Sequence, residues 1–405
     1  AGYQVSVICP RGERDPRRET LEGIRIRRYR PAPSVRGFAG YAYEFIYSWS
    51  RSAILTAEVL GREGFDVIQA CNPPDTYFAL AAILKPLGKK FVYDQHDLCP
   101  ELYQARFKKH DGLPLRALEF LERCTYRLAD HVISTNESYR SIAMGRGGLG
   151  PDRVTTVRNG PDLGRLRPET PQPDLRNGRN HLCCYLGVMG PQDGVDTLVR
   201  AAEVIVHELG RTDIHFGVMG FGDCFEELKQ LTGELGLEEF ITFTGRADDR
   251  TIRAYLSTAD VGLAPDPVTP FNQLSTMNKT MEYMAFGLPV LSFDLHESRV
   301  SAGPSAVYVS SPDPALYAKA LCQLLDDAPE RARMGKTGYQ RIVDELAWPH
   351  QRQRYIAVYD RLFERDIPVI DLRDRPAPTP AHWPTASRFG RPAARAIAGL
   401  RTLFL

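Results

Sequence analysis

The chain has 405 residues, 43% hydrophobic and 25% charged, with a formal net charge of +1. That length exceeds one core of ordinary size, so two domains and an appendage are expected. The near-neutral balance argues against a nucleic-acid partner, and no apolar run reaches the length of a transmembrane helix.

The chain opens Ala1-Gly2-Tyr3 directly into the strand pattern Gln4–Cys9. A glycine just before a strand usually closes a preceding helix, so the pattern reads as a domain whose first strand lies upstream. No signal-peptide pattern is present, which makes the cytoplasm the expected location, with peripheral attachment to the inner membrane face as an addition. Between Arg11 and Arg36 nine arginines stand against four acids. Such a stretch suits a solvated strand and loop, or contact with phosphate or an anionic membrane surface. Phe38, Tyr41, Tyr43, Phe45, Tyr47 and Trp49 then crowd a predicted helix. A buried core helix is the favoured reading, ahead of an aromatic surface for a lipid-linked or sugar acceptor.

Further strands are predicted at Ile24–Tyr29, Val67–Ala70, Lys90–Asp94, His131–Thr135 and Val154–Val157. A second series covers Leu182–Leu186, Ile214–Met219, Ile241–Thr244, Val261–Ala264, Pro289–Phe293 and Ala306–Val309. Amphipathic helical patterns separate most of them, including Leu115–Leu128, Val195–Leu209, Asp223–Leu235, Asp248–Ser257 and Lys279–Phe286. This alternation predicts βαβ units and parallel sheets. The Pro-, Gly- and charge-rich run from Gly160 to Gly178 divides the series, giving domains 1–163 and 164–348. Three helices follow, at Pro314–Leu325, Pro329–Glu345 and Pro349–Phe363. Residues 366–405 read as a Pro-rich linker ending in a short basic segment from Arg388, amphipathic or disordered. The eight cysteines form no CxxC pair and several sit in apolar runs, as small buried hydrophobes do.

Ligands of open α/β folds bind outside the carboxyl ends of the strands, so the residues after each strand carry the chemistry. After Phe91–Tyr93 comes Asp94-Gln95-His96-Asp97, with Glu101 one turn later. His96, Asp97 and Glu101, with Asn159 after a later strand, are candidate cleft residues. After Leu182–Leu186 comes Gly187-Val188-Met189-Gly190, and after Ile214–Met219 comes Gly220-Phe221-Gly222-Asp223. Each turn opens a helix, and glycine turns at helix starts offer N–H groups to an anion such as a nucleotide diphosphate. A third helix opens at Asn278-Lys279-Thr280, with Glu282 on the side of Lys279. The lysine can neutralise diphosphate and the carboxylate can accept from ribose hydroxyls. A surface Lys–Glu pair is the alternative. No His/Cys/Asp cluster has metal-ligand spacing, so no metal is expected.

The stretches YDQHDLCPELY, VRNGPDLGRLRP, YLGVMGPQDGVDTLVRAA, GVMGFGDCFEELKQL, ITFTGR and NKTMEYMAFGLPVLSFDLHESRVSAG, in this order, resemble family 4 retaining glycosyltransferases of the GT-B fold. The resemblance covers nearly the whole chain to about Phe363. It implies an α/β architecture of two Rossmann-like, doubly wound parallel-sheet domains facing a cleft. The C-terminal domain would hold a nucleotide-diphosphate sugar, a substrate rather than a cofactor, and the N-terminal one a saccharide or lipid-linked acceptor. Residues 349–365 would form a helix crossing back to the N-terminal domain. Donor contacts are implied for Gly187, Met189, Gly190, Gly220, Phe221, Gly222, Arg246, Asn278 and Thr280, and catalytic roles for His96, Lys279 and Glu282. Three departures stand out. Val188 and Asp193 occupy places where many members carry Arg and Lys, Leu274 replaces the first Glu of a Glu-x7-Glu pair, and the glycine-rich loop after the first strand is absent. A branch similar to N-acetyl-aminosugar transferases has a neutral turn here with a Lys three residues before the retained Glu, which Lys279 matches. The departures keep open a catalytically weak paralogue that binds sugar nucleotide or supports an assembly; a two-domain epimerase would share the architecture.

Overall fold

The computed structural model describes residues 2–12, 14–33, 37–364 and 401–404. Its strands in chain order are β1 Gln4–Pro10, β2 Arg18–Leu21, β3 Ile24–Tyr29, β4 Val67–Cys71, β5 Lys90–Gln95, β6 His131–Ser134 and β7 Val154–Thr156. They continue with β8 His181–Leu186, β9 Ile214–Met219, β10 Ile241–Gly245, β11 Val261–Ala264, β12 Val290–Phe293, β13 Ala306–Val309 and β14 Arg401–Phe404. The chain divides into two compact units, one of residues 1–93, 128–131 and 356–405, the other of residues 94–127 and 132–355.

In the first unit the strand order is β2-β3-β1-β14-β4-β5. β1 runs parallel to β3 and β14, and β14 parallel to β4. β2 pairs antiparallel with β3 through a two-residue turn, Leu21 opposite Ile24. Glu22 and Gly23 both have positive φ there, 51° and 85°, as a tight hairpin with the right twist requires. The sequence reading missed this strand because RETL is polar and mostly exposed, leaving no hydrophobic alternation. The expected linker lies outside the described residues. Of the basic end segment only residues 401–404 are described, and they form β14.

The helix Gly37–Arg62 does form, but it is not the buried core helix favoured from its composition. Tyr43, Ile46 and Ile54 are exposed, and Phe45, Tyr47 and Trp49 are half-buried. Its inward positions are the smaller Ser52, Thr56 and Val59, one helical face C-terminal to the aromatic cluster. The side chains of Phe38 and Tyr41 lie outside the described residues. The neighbouring basic stretch is partly neutralised: Arg18 pairs with Glu58, Arg25 and Arg27 with Glu63, and Arg28 with Glu19. Burial alone would raise the Glu63 carboxyl, yet hydrogen bonds from Arg27 and Arg25 hold it down at about 2.

In the second unit β6 and β7 pair in parallel, and six parallel strands form a sheet in the order β10-β9-β8-β11-β12-β13. One core lies over Cys183, Phe216, Leu263 and Phe293, closed by the helices Val195–Glu203 and Pro314–Asp326. The other joins Leu182, Cys184 and Val290 to Leu256, Met281 and Met284, from the helices Asp249–Thr258 and Asn278–Ala285. Tyr283 fixes that last helix beneath the strand ends. Its fully buried hydroxyl donates to Leu263 O at 3.0 Å and accepts from Leu186 N–H at 2.8 Å. A Cβ at Gly262 would lie 2.3 Å from its ring, so the tyrosine fits only over glycine. Tyr283→Phe leaves a buried donor and acceptor unpaired, and thermal unfolding should show a loss of about 1–3 kcal/mol. Among the described residues no helix is long and apolar enough to cross a membrane.

Candidate functional site

The strand order reverses between β8 and β11, and such a switch point leaves a crevice at the strand carboxyl ends. β8 runs into the turn 187–194 before the helix Val195–Glu203. β9 runs into 220–224 before the helix Phe225–Glu234, and β11 into Pro265-Asp266. The two glycine turns lie against each other. Gly187 N–H donates to Met219 O and Met189 N–H to Phe221 O, both at 3.0 Å, and Cys224 N–H returns to Met189 O at 2.9 Å. Gly220 sits at φ 143°, and a Cβ on it would fall 1.8 Å from Gly187 O. One on Gly222 would fall 2.5 Å from Met189 O, so side chains are excluded where the turns meet.

This arrangement corrects one expectation. The amides of Gly187 and Met189 are spent on the ladder, and Gly190 N–H donates to Asp193 Oδ2 at 2.9 Å. Gln192 Nε2 donates to the same oxygen at 3.1 Å. The amides expected to face a diphosphate around Gly190 are therefore occupied, and the anion at this turn is the chain's own carboxylate. Burial pushes Asp193 up to about 6, against the pull of Lys279 and with the push of Asp266.

Lys279 is buried rather than a surface partner of Glu282. Its Nζ lies 2.5 Å from Asp266 Oδ1 and over the Tyr185 ring, 5.1 Å from the centroid. A Cβ on Gly187 would lie 3.2 Å from its Cε, which places the lysine stem under the first glycine turn. Asp266 is 1% exposed, and its second oxygen has no hydrogen-bond partner among the described residues. A buried carboxylate oxygen left without a partner beside an ammonium leaves the pair incompletely satisfied. Glu282, half-buried one turn beyond Lys279, has its carboxyl raised by burial, opposed by Arg165 and Lys279. Asn278 is exposed at the helix start. Thr280 is fully buried; its N–H donates to Met277 O, and its hydroxyl has no hydrogen-bond partner among the described residues.

Arg246 and Phe221 come together: the exposed guanidinium stands 4.5 Å from the ring centroid, a flat pair beside the second glycine turn. On the side of the other candidates, His96 Nε2 is 3.3 Å from Asp94 Oδ1. Asp97 is half-buried and Asn159 exposed. Glu101 is committed elsewhere: it pairs with Arg146, which also donates to the buried Glu122 at 2.8 Å. Glu101 also lines a cavity of about 220 Å³ with Gln104, Lys108, His110 and Phe271.

Two residues of this site escaped the sequence reading. Asp266 ends LSTADVGLAPD, and its place just after a central strand was the available signal. Arg106, in the helix Cys99–Phe107, pairs with Asp223 of the second glycine turn, a contact between residues 117 apart that no local pattern announces.

Residues 180–327 match the family model for glycosyl transferases group 1, and residues 1–165 that for glycosyltransferase family 4. A D-inositol 3-phosphate glycosyltransferase of Thermomonospora curvata is 28% identical over 233 residues, 52% of this chain and 52% of that protein. The chain thus spans about half the length of that relative. Sucrose-phosphate synthase of Thermosynechococcus elongatus shares the fold with a TM-score of 0.73 at 19% identity, over 90% of each chain. Anabaena HepE in complex with UDP-glucose does so with a TM-score of 0.63 at 14% identity, over 88% of this chain and 99% of that one. With one family model on each half and both folds alike, the chain belongs to the group 1 and family 4 glycosyltransferases of the GT-B fold.

Proposed function

We propose that the chain moves a sugar from a nucleotide-diphosphate donor to a cell-envelope polysaccharide or glycolipid, with retention at the anomeric carbon and without a metal. The observation that carries this reading is the buried Lys279 amine under the Gly187 turn at the switch point, with Glu282 one turn away. In this reading the sugar–phosphate bond loosens into an oxocarbenium-like state while Lys279 stabilises the departing diphosphate. Glu282 accepts from the ribose hydroxyls, and Arg246 with Phe221 borders the base. Gly187, Met189, Gly190, Gly220 and Gly222 shape the phosphate turn, and Asn278 reaches it from the helix start. His96 hydrogen-bonds the donor sugar, and Asp97 and Asn159 meet the acceptor. The acceptor hydroxyl enters on the leaving-group side, forms the new glycosidic bond and passes its proton to the released phosphate. Residues 1–163 serve the acceptor and 164–348 the nucleotide sugar, with 349–365 as a crossover helix and 366–405 as a tail. Peripheral membrane contact through the N-terminal basic and aromatic region is favoured by the exposed Tyr43 and Ile46.

A calorimetric panel of nucleotide sugars tests the reading, headed by UDP-glucose because HepE is bound to it. Glu282→Ala should weaken donor binding roughly ten- to a hundredfold, since a hydrogen-bonded charge is worth about 1.5–3 kcal/mol. Equal binding by variant and wild type removes Glu282 from the site. Turnover should survive chelation, and proton NMR of the product should show the donor's anomeric configuration; inversion refutes retention. A second reading, a catalytically weak sugar-nucleotide-binding or assembly partner, is favoured by the Gly190 amide held by Asp193 and the Lys279 amine held by Asp266. Donor binding without transfer to any acceptor would select it.

A further inference from the structure

We infer that the cavity between the helix Cys99–Phe107 and the short helix Pro270–Leu274 is an acceptor subsite for a sugar unit carrying an anionic group, a carboxylate or a phosphate. The inference rests on the function proposed above and narrows its acceptor class. Glu101, Gln104, Ala105 and Lys108 form one wall, at spacings i, i+3, i+4 and i+7 that put them on a single helical face. That face begins just beyond His96 in the chain. The opposite wall is the exposed Pro270 and the buried Phe271. Their helix is tied to the donor crevice. Asn272 Nδ2 donates to Gln192 O at 3.0 Å, in the first glycine turn, and to Pro267 O at 2.9 Å, beside Asp266. A volume of about 220 Å³ lies below the roughly 300–1,000 Å³ of sites for drug-sized ligands, and suits one sugar ring.

The polar groups of the lining are available to a ligand. The side chains of Gln104, Lys108 and His110 have no hydrogen-bonding or ionic partner among the described residues. Glu101 is paired with Arg146, so Lys108 is the charge that a ligand meets. Lys108 caps its helix at φ 52°, in the left-handed conformation that glycine adopts without strain. A lysine at this cap carries that strain and sets its ammonium at the cavity, with His110 two residues on. The exposed Lys109 and Asp111 lie outside the lining. An apolar wall facing a few convergent polar groups is the composition of a small-molecule site. Pro270 and Phe271 meet the C–H face of the ring, Gln104 its hydroxyls, and Lys108 with His110 its anionic substituent. A neutral sugar gains nothing from Lys108, and the selectivity arises there.

The test is saturation-transfer NMR titration of the full chain with glucose, glucuronic acid and glucose 6-phosphate, with and without UDP. At least one anionic sugar should bind about tenfold more tightly than glucose, the lower end of what a hydrogen bond to a charged group gives, since Lys108 is exposed. The tighter of the two identifies the anion as carboxylate or phosphate. Lys108→Gln should bring the anionic sugars down to the affinity of glucose and leave glucose unchanged. Gln104→Ala should weaken all three sugars alike, by roughly threefold. UDP should leave these affinities in place, because it occupies the neighbouring crevice. Displacement of the anionic sugars by UDP would put them in the donor site and overturn the inference. So would equal affinity for all three sugars, or an undiminished preference in Lys108→Gln. A chain that shows the preference and its loss in Lys108→Gln, yet binds no nucleotide sugar, would sink the donor reading and leave the anion subsite standing.

Discussion

Lys279→Ala should cut sugar transfer by a factor on the order of 100 to 1,000, as loss of a group that stabilises transition-state charge does. It should also lower stability by about 3–5 kcal/mol, because Asp266 is then a buried carboxylate with no counter-ion. The two effects have different origins, and a second variant separates them. Replacing both members, Lys279→Met with Asp266→Asn, removes the unpaired charge and should recover most of the lost stability, since a buried ion pair is seldom worth much against a neutral pair. Transfer should stay low, because no cation remains under the Gly187 turn. Scanning calorimetry and a donor-turnover assay on both variants read the two quantities independently. Recovered transfer in the double variant would make Lys279 a purely structural residue. Full transfer in Lys279→Ala would remove it from the mechanism.

Most of the second unit was legible because its strands are short apolar runs bounded by glycine turns, and such runs have few alternatives in an α/β chain. The same regularity marks Gly187–Gly190, Gly220–Gly222 and Lys279–Glu282 in the sequence itself. What the turns do with their hydrogen bonds was not legible. Spacing shows that an amide precedes a helix; it does not show that Met189 N–H is spent on Phe221 O, a contact 32 residues away. The role of Asp193 was hidden for a similar reason. As a departure from a family pattern it registered only as a missing lysine, whereas its carboxylate positively occupies the place that pattern gives to an anion. Glu101 shows the same limit, since no local pattern announces its partner Arg146, 45 residues away. The aromatic helix failed on a finer point: composition measured its hydrophobicity, but burial fell on Ser52, Thr56 and Val59, where small side chains permit close approach.

Asp193 also gives the pH dependence. Its folded value of about 6 lies above the usual aspartate value of 3.8, so between these the folded chain binds more protons than the unfolded one. Stability therefore falls as pH rises through that window, by about 3 kcal/mol in all, and stays lower above it. Asp193→Asn keeps an acceptor for Gly190 N–H and removes the charge, so it should be the more stable protein at pH 7.5 and show a shallower slope between pH 4 and 6. Donor binding should follow the same group. A nucleotide diphosphate brought near the turn meets a like charge, and at about 6 Å that repulsion is on the order of 3 kcal/mol before screening by salt. The wild type should thus bind donor more weakly as pH rises past about 6 and take up a proton on binding, visible as a buffer-dependent calorimetric heat. The asparagine variant should bind about tenfold more tightly at pH 8, with no such heat. If its affinity and pH profile match the wild type instead, the carboxylate swings clear of the turn when donor arrives, and Lys279 alone sets the charge that the diphosphate meets.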